Sequence, residues 1–168
     1  NIGYVFQSSF FADDTITNNI ALGINEKEID FNKIEKVAKI AQISDFIESK
    51  LPLKYNTIIG EDGAFLSEGQ KQRINIARAL YNDPEMIILD EATNSLDSET
   101  ENLVISSIFK NFINKTVVMI THKVSLLQNC DQIIFIEDGS VKSQGKFESL
   151  MDENSSFKKL VAESFKKN

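Results

Sequence analysis

Three short apolar runs constrain this chain more than any other feature: "MIIL" at 86–89, "VVMI" at 117–120 and "IIFI" at 133–136. Each is rich in β-branched residues, and helical patterning separates one from the next. Alternation of this kind suggests parallel strands covered on both faces by crossover helices. Residues 98–112 and 123–129 are the expected crossovers, the first opening on the capping-box pattern Ser98-Glu-Thr-Glu101. After Phe135 the pair Asp138-Gly139 leads into "SVKSQG", which predicts an antiparallel hairpin at the edge. Amphipathic helical stretches at about 146–153 and 157–165 close the chain.

Upstream the pattern is helical. Ile34, Val37, Ala38 and Ala41 recur at helical spacing, and Phe46 and Ile47 begin another short helix. Residues 15–83 therefore read as a mainly helical sub-domain set into an α/β core, joined to it by the polar stretch after Gln7. No internal repeat or low-complexity tract supports a solenoid or a linker.

With 168 residues, 42% of them hydrophobic and 26% charged, the chain can bury a core of ordinary size. A net charge of −7 argues against a broad nucleic-acid surface, because phosphate backbones are held mainly by many Lys and Arg. Cys130 is the only cysteine, which excludes an internal disulfide and a cysteine-rich metal site. The apolar runs are far below the roughly 20 residues a membrane-spanning helix needs. The opening "NIGYVFQ" reads as the middle of a strand, so the chain is expected to be a piece of a longer polypeptide.

The stretch "MIILDEATNSLD" ends an apolar strand on two adjacent acids, Asp90 and Glu91. Neighbours on a strand face opposite ways, so the pair cannot clamp one metal unless the chain turns there. A division of labour fits better. Ligands of open α/β sheets bind beyond the carboxyl ends of the strands, where Asp90 could hold a hydrated Mg²⁺ and Glu91 could polarise a water. Acids that merely cap the sheet edge are the plain alternative, since so short a pattern has many false positives. In "FLSEGQKQRINIARAL", residues 65–80, Ser67 and Gln70 form a capping-box pattern, with Ile74, Ala77, Leu80 and Tyr81 as a buried stripe behind it. A helix starting there exposes unpaired N–H groups, and Gly69 would let a phosphate approach closely, although most capped helices bind nothing. His122, the only histidine, follows "VVMIT" at the carboxyl end of the next strand, which places it on the same rim as Asp90 and Glu91.

Together these stretches resemble the ATP-binding cassette (ABC) ATPases. "LSEGQ" is similar to the family's LSGGQ signature, "MIILDE" to its Walker B strand, "NSLD" to its D-loop, "THK" to its switch-histidine loop and "YVFQ" to its Q-loop, in the family's order and spacing. "TIIGEDG" at 57–63 and "DDTITNNIALG" resemble exporter-type members. The resemblance implies a mostly parallel α/β sheet of the P-loop NTPase type, truncated at its N-terminus, with an inserted helical sub-domain. It divides the chain into a Q-loop strand and loop (1–14), the helical sub-domain with the signature (15–83), the Walker B, D-loop and switch-histidine core (84–145) and carboxyl-terminal helices (146–168).

Carried over residue by residue, the resemblance implies ATP and Mg²⁺ as ligands. Asp90 would serve the metal and Glu91 the attacking water, and His122 would contact the γ-phosphate. Gln7 would sense metal and water while joining core to sub-domain. Ser67, Gly69 and Gln70 would face ATP held by a second, opposing ABC ATPase domain, with Asp97 passing between the sites. The implied partners are that second domain and the transmembrane domains of a transporter, at the cytoplasmic face of a membrane.

Two departures stand out. Glu68 occupies a position where the family most often has glycine, and its carboxylate would repel a triphosphate unless it points away. The chain also contains no Walker A loop, which needs Gly, four residues, Gly-Lys and then Ser or Thr. Its one Gly-Lys, Gly145-Lys146, is followed by Phe147. By itself the chain is therefore expected to bind ATP weakly and not to hydrolyse it. A non-catalytic module docking through Ser67 and Gly69, and a DNA-repair or chromosome ATPase of the same superfamily, are the alternatives. Acidic balance and the lack of a long coiled-coil pattern speak against the last.

Overall fold

The computed structural model describes residues 1–6 and 10–164. The chain forms two compact units, Asn1–Ile120 and Thr121–Asn168.

The first unit is built on strands β1 (Ile2–Val5), β2 (Met86–Asp90) and β3 (Thr116–Ile120), parallel and in the order β1-β2-β3. Register pairs Gly3 with Ile87 and Ile87 with Val117, and one step further Tyr4 with Ile88 and Ile88 with Val118. Because side chains alternate, Val5, Ile87 and Leu89 share a buried face. The opposite face is more open than the sequence predicts: Ile2, Tyr4, Val118 and Ile120 are 62%, 38%, 39% and 47% exposed. Coverage on both faces is thus not realised across β1 and β3.

Among the described residues, four α-helices precede β2: α1 (Ile16–Ile20), α2 (Phe31–Ile40), α3 (Ser44–Lys50) and α4 (Glu68–Tyr81). Helix α4 is the spine on which α1, α2 and β1 pack. Its stripe Ile74, Ala77, Leu80 and Tyr81 is buried as its spacing dictates, facing Ile34, Val37 and Ala38 of α2 among the buried residues of this unit. The phenol oxygen of Tyr81 accepts from Asp30 N–H (2.9 Å), and Asp30 in turn caps α2 by accepting from Asn32 N–H (3.0 Å). One bond therefore fixes the start of α2 against the end of α4. Gly3 sets the spacing between β1 and α4, since a Cβ there would lie 2.5 Å from the Ala79 carbonyl oxygen. Arg78 reaches the other way, donating to the carbonyls of Asn19 (2.7 Å) and Phe10 (2.9 Å) with its guanidinium 4.9 Å from the Phe11 ring centroid.

Helix α5 (Ser98–Asn111) is the crossover between β2 and β3, but its cap is not the expected one. Asp97, with extended φ −65° and ψ 158°, is the N-cap and accepts from Thr100 N–H at 2.9 Å; Ser98 is already helical.

The second unit holds α6 (Val124–Leu127), β4 (Ile133–Glu137), β5 (Ser140–Gly145), α7 (Phe147–Glu153) and α8 (Ser155–Ser164). Its core is Val124, Ile133, Leu150, Phe157 and Val161, with Phe157 edge-on to Phe135 and Phe147 at 5.6 Å each. The run at 133–136 corrects the expectation of a third parallel strand. Among the described residues β4 pairs with β5 alone, antiparallel. The turn explains it, because Asp138 and Gly139 both take positive φ, 50° and 69°, and fold β5 straight back beside β4. Among the described residues no helix is long and apolar enough to cross a membrane.

Candidate active site at the carboxyl end of the central strand

The sheet ends where its central strand turns. Asp90 is the last residue of β2 and still pairs with Ile120 of β3, whereas Glu91 has a φ of +49°. A non-glycine residue in this region costs about 1–2 kcal/mol, so its surroundings must hold it there. They do so from three sides. Glu91 N–H donates to the Ile120 carbonyl (3.1 Å), and the Glu91 carbonyl accepts from Asn94 N–H (3.2 Å) and from Gln72 Nε2 (3.3 Å).

That turn answers how two adjacent carboxylates can do different work. Asp90 Oδ2 accepts from the Tyr4 hydroxyl at 2.9 Å, across the face that β1 shares with β2. Glu91 Oε2 accepts instead from Asn94 Nδ2 at 2.8 Å, within the loop beyond the strand. The bond to the Asp90 carboxylate raises the Tyr4 phenol above its ordinary range, so Tyr4 stays a donor. Asp90 offers a half-buried carboxylate, an oxygen donor of the kind Mg²⁺ takes together with waters. No group of three or more His, Cys, Asp or Glu among the described residues could hold a metal as a closed cage.

Helix α4 begins with the predicted reciprocal cap. Ser67 Oγ accepts from Gln70 N–H (3.3 Å) while Gln70 Oε1 accepts from Ser67 N–H (2.9 Å). Glu68, the first helical residue, turns along its own helix and pairs with Lys71 Nζ at 3.0 Å. Gly69 has a packing role besides any approach of phosphate, since a Cβ there would sit 3.2 Å from the Ser95 carbonyl oxygen. The first turn of α4 is thus laid against the loop that runs from Glu91 to Asp97.

Gln72 locks that contact. It is buried, and its Oε1 accepts from both the backbone N–H (3.1 Å) and the hydroxyl of Ser95 while its amide donates to the Glu91 carbonyl. Asp97 ends the loop as the cap of α5, and its bonds from the Thr100 backbone and side chain hold its carboxyl below the usual range. Arg73 donates to the carbonyls of Gly69 (3.2 Å) and Gln42 (2.6 Å), tying the start of α4 to the turn after α2.

Of the residues singled out in the sequence, Ser67, Gly69, Gln70, Asp90, Glu91 and Asp97 lie in the first unit, on the start of α4, the end of β2 and the loop leading to α5. His122 is an exposed residue of the second unit, two positions beyond β3. Gln7 lies outside the described residues. Sequence reasoning missed Tyr4, Gln72 and Asn94. Tyr4 was within reach of strand periodicity, because it shares the outward phase of β1; Asn94 lay inside the "NSLD" resemblance without being singled out, and Gln72 gave no signal of its own.

Residues 1–94 match the family described as ABC transporter. Over 158 residues, 94% of this chain, it is 42% identical to the mouse protein "ATP-binding cassette sub-family B member 5", of which it spans 12%. It is 39% identical over 165 residues to the "ATP-dependent lipid A-core flippase" of Haemophilus influenzae (strain 86-028NP), covering 98% of this chain and 28% of the flippase. It is 43% identical over 150 residues to "Leukotoxin export ATP-binding protein LtxB" of Aggregatibacter actinomycetemcomitans, covering 89% of this chain and 21% of that protein. Among solved structures, "Structure of a bacterial Atm1-family ABC exporter with ATP bound" superposes with a TM-score of 0.89 at 34% identity, over 96% of this chain and 28% of that one. The chain thus spans less than a third of these relatives. Its α/β fold and its matched sequence make it a member of the ABC transporter family.

Proposed function

We propose that this chain is part of an ATP-binding and ATP-hydrolysing domain of an ABC exporter, which pairs with a second such domain to couple hydrolysis to transport across a membrane. The observation that carries the reading is the turn at Glu91, which separates two adjacent carboxylates into two environments at the end of a parallel strand. Asp90, its carboxylate steadied by Tyr4, would hold Mg²⁺. The metal, when bound, neutralises phosphate charge. Glu91 orients the attacking water and takes its proton as the new P–O bond forms and the bond to the ADP oxygen breaks. His122 contacts the γ-phosphate, and Gln7 links water and metal to the helical portion. Ser67, Gly69 and Gln70 face ATP bound to the opposing domain, where the first turn of α4 presents N–H groups and a positive dipole end to phosphate. Asp97 lies between the two sites. The domain works at the cytoplasmic face of the membrane against transmembrane domains, and no nucleic acid takes part.

In the complete protein Glu91→Gln retains ATP binding while turnover falls by roughly 10² to 10⁴, the usual worth of a positioned base. Unchanged turnover would remove Glu91 from this role. The 168-residue chain alone, which contains no Walker A sequence, binds a fluorescent ATP analogue weakly with or without Mg²⁺. Tight, Mg²⁺-dependent binding by it would contradict that expectation.

A further inference from the structure

Gln72 stands five residues into the helix that begins at Ser67, yet its side chain belongs to the loop after β2. A glutamine amide offers both a donor and an acceptor, and here each end is used against that loop. The acceptor end takes Ser95 N–H and Ser95 hydroxyl; the donor end meets the carbonyl of Glu91, the residue held at a φ of +49°. Only 8% of Gln72 is exposed, so water cannot readily replace these partners. The loop approaches closely enough for this because Gly69, one turn earlier on the same helix, has no Cβ to strike the Ser95 carbonyl.

We infer that Gln72 is a positioning residue for hydrolysis: its amide holds Glu91 in its left-handed conformation and so aims the Glu91 carboxylate. The inference rests on Glu91 acting on the attacking water. One side chain then ties the helix turn that carries Ser67 and Gly69 to the residue that activates water, so a shift of α4 moves the base. The Glu91 carboxylate has a second support in Asn94, but Asn94 lies on the same loop and moves with it. Ile120 of β3 holds the Glu91 N–H, and Gln72, buried on α4, holds its carbonyl.

The test uses the complete protein with three variants. Gln72→Leu removes both ends of the amide at similar bulk. Gln72→Glu keeps the acceptor for Ser95 but, when ionised, turns a carboxylate oxygen on the Glu91 carbonyl; once protonated it is a donor again. Loss of aim lowers kcat for ATP hydrolysis by about tenfold to a hundredfold in Gln72→Leu with KM for ATP changed by less than about twofold. For Gln72→Glu, the ratio of its turnover to that of the parent rises as pH is lowered from about 8 to about 6, because a carboxyl in this buried position protonates above its ordinary range. A merely structural glutamine gives a different pattern, in which Tm falls, KM and kcat shift together, and the ratio does not depend on pH. A flat ratio, or a Gln72→Leu kcat within about twofold of the parent, would overturn the inference. Glu91→Gln measured alongside separates the two failures. If it abolishes turnover while the Gln72 variants are silent, only the positioning role is lost; if it leaves turnover intact, the reading of Glu91 fails first.

Discussion

Glu68 shows how one substitution can be neutralised locally. Its carboxylate, 76% exposed, is paired with Lys71 on the same helix, so the charge facing any nucleotide at the first turn of α4 is partly offset. Exposed charges contribute about 0–1 kcal/mol, so Glu68→Gly tightens nucleotide binding in the complete protein by no more than about fivefold at low salt, and the gain fades at high salt. A titration with no change at low salt would exclude repulsion by Glu68 altogether. Asp97 carries a pH dependence whose sign is set by its cap. Its folded pKa lies below the usual carboxylate range because of its bonds from Thr100, so the stability it lends α5 is complete above that range. It is lost as pH falls through the folded value. Thermal unfolding followed from about pH 6 to about pH 2 therefore declines less steeply in Asp97→Asn, whose cap does not titrate. Identical slopes would mean that Asp97 does not feel its cap.

Among the elements, α4 is the one on which α1, α2 and β1 all pack, and its two ends are sensitive places. Ser67→Ala removes half of the reciprocal cap and costs about 1 kcal/mol by urea unfolding. Gly3→Ala drives a methyl into the Ala79 carbonyl and costs about 1–3 kcal/mol, because strand and helix must separate to admit it. A Gly3→Ala chain as stable as the parent would show that β1 does not pack on α4 at this distance. The start of α4 was legible because Ser67 and Gln70 sit at the spacing a reciprocal cap needs and no better cap lies nearby. The start of α5 was displaced by one residue for the opposite reason. Asp97 and Ser98 are both good caps, and only the backbone decides between them. The run at 133–136 failed for a third reason: four apolar residues announce a strand but not its partner, and the Asp138-Gly139 turn outweighed the alternation that suggested a parallel neighbour.

For the molecule as a whole, the parallel pairing of the runs at 86–89 and 117–120 followed from their alternation with helical segments, and the placing of Asp90 and Glu91 at a strand end from the apolar run before them. What the sequence could not yield was the turn at Glu91, since nothing in "DEATNS" marks a positive φ at a glutamate. Two supports of that turn come from afar, Ile120 at the end of β3, 29 residues downstream, and Gln72 of α4, 19 upstream, distances over which local pattern carries no information. The same turn underlies the account's central claim, that Asp90 serves the metal and Glu91 the water. The most direct test is the Mg²⁺ dependence of ATP turnover by the complete protein, measured for the parent, Asp90→Asn and Glu91→Gln. The claim predicts that Asp90→Asn raises the Mg²⁺ concentration at half-maximal turnover by about tenfold or more, and that Glu91→Gln lowers the maximum while leaving that midpoint in place. A midpoint moved by Glu91→Gln and untouched by Asp90→Asn would contradict it.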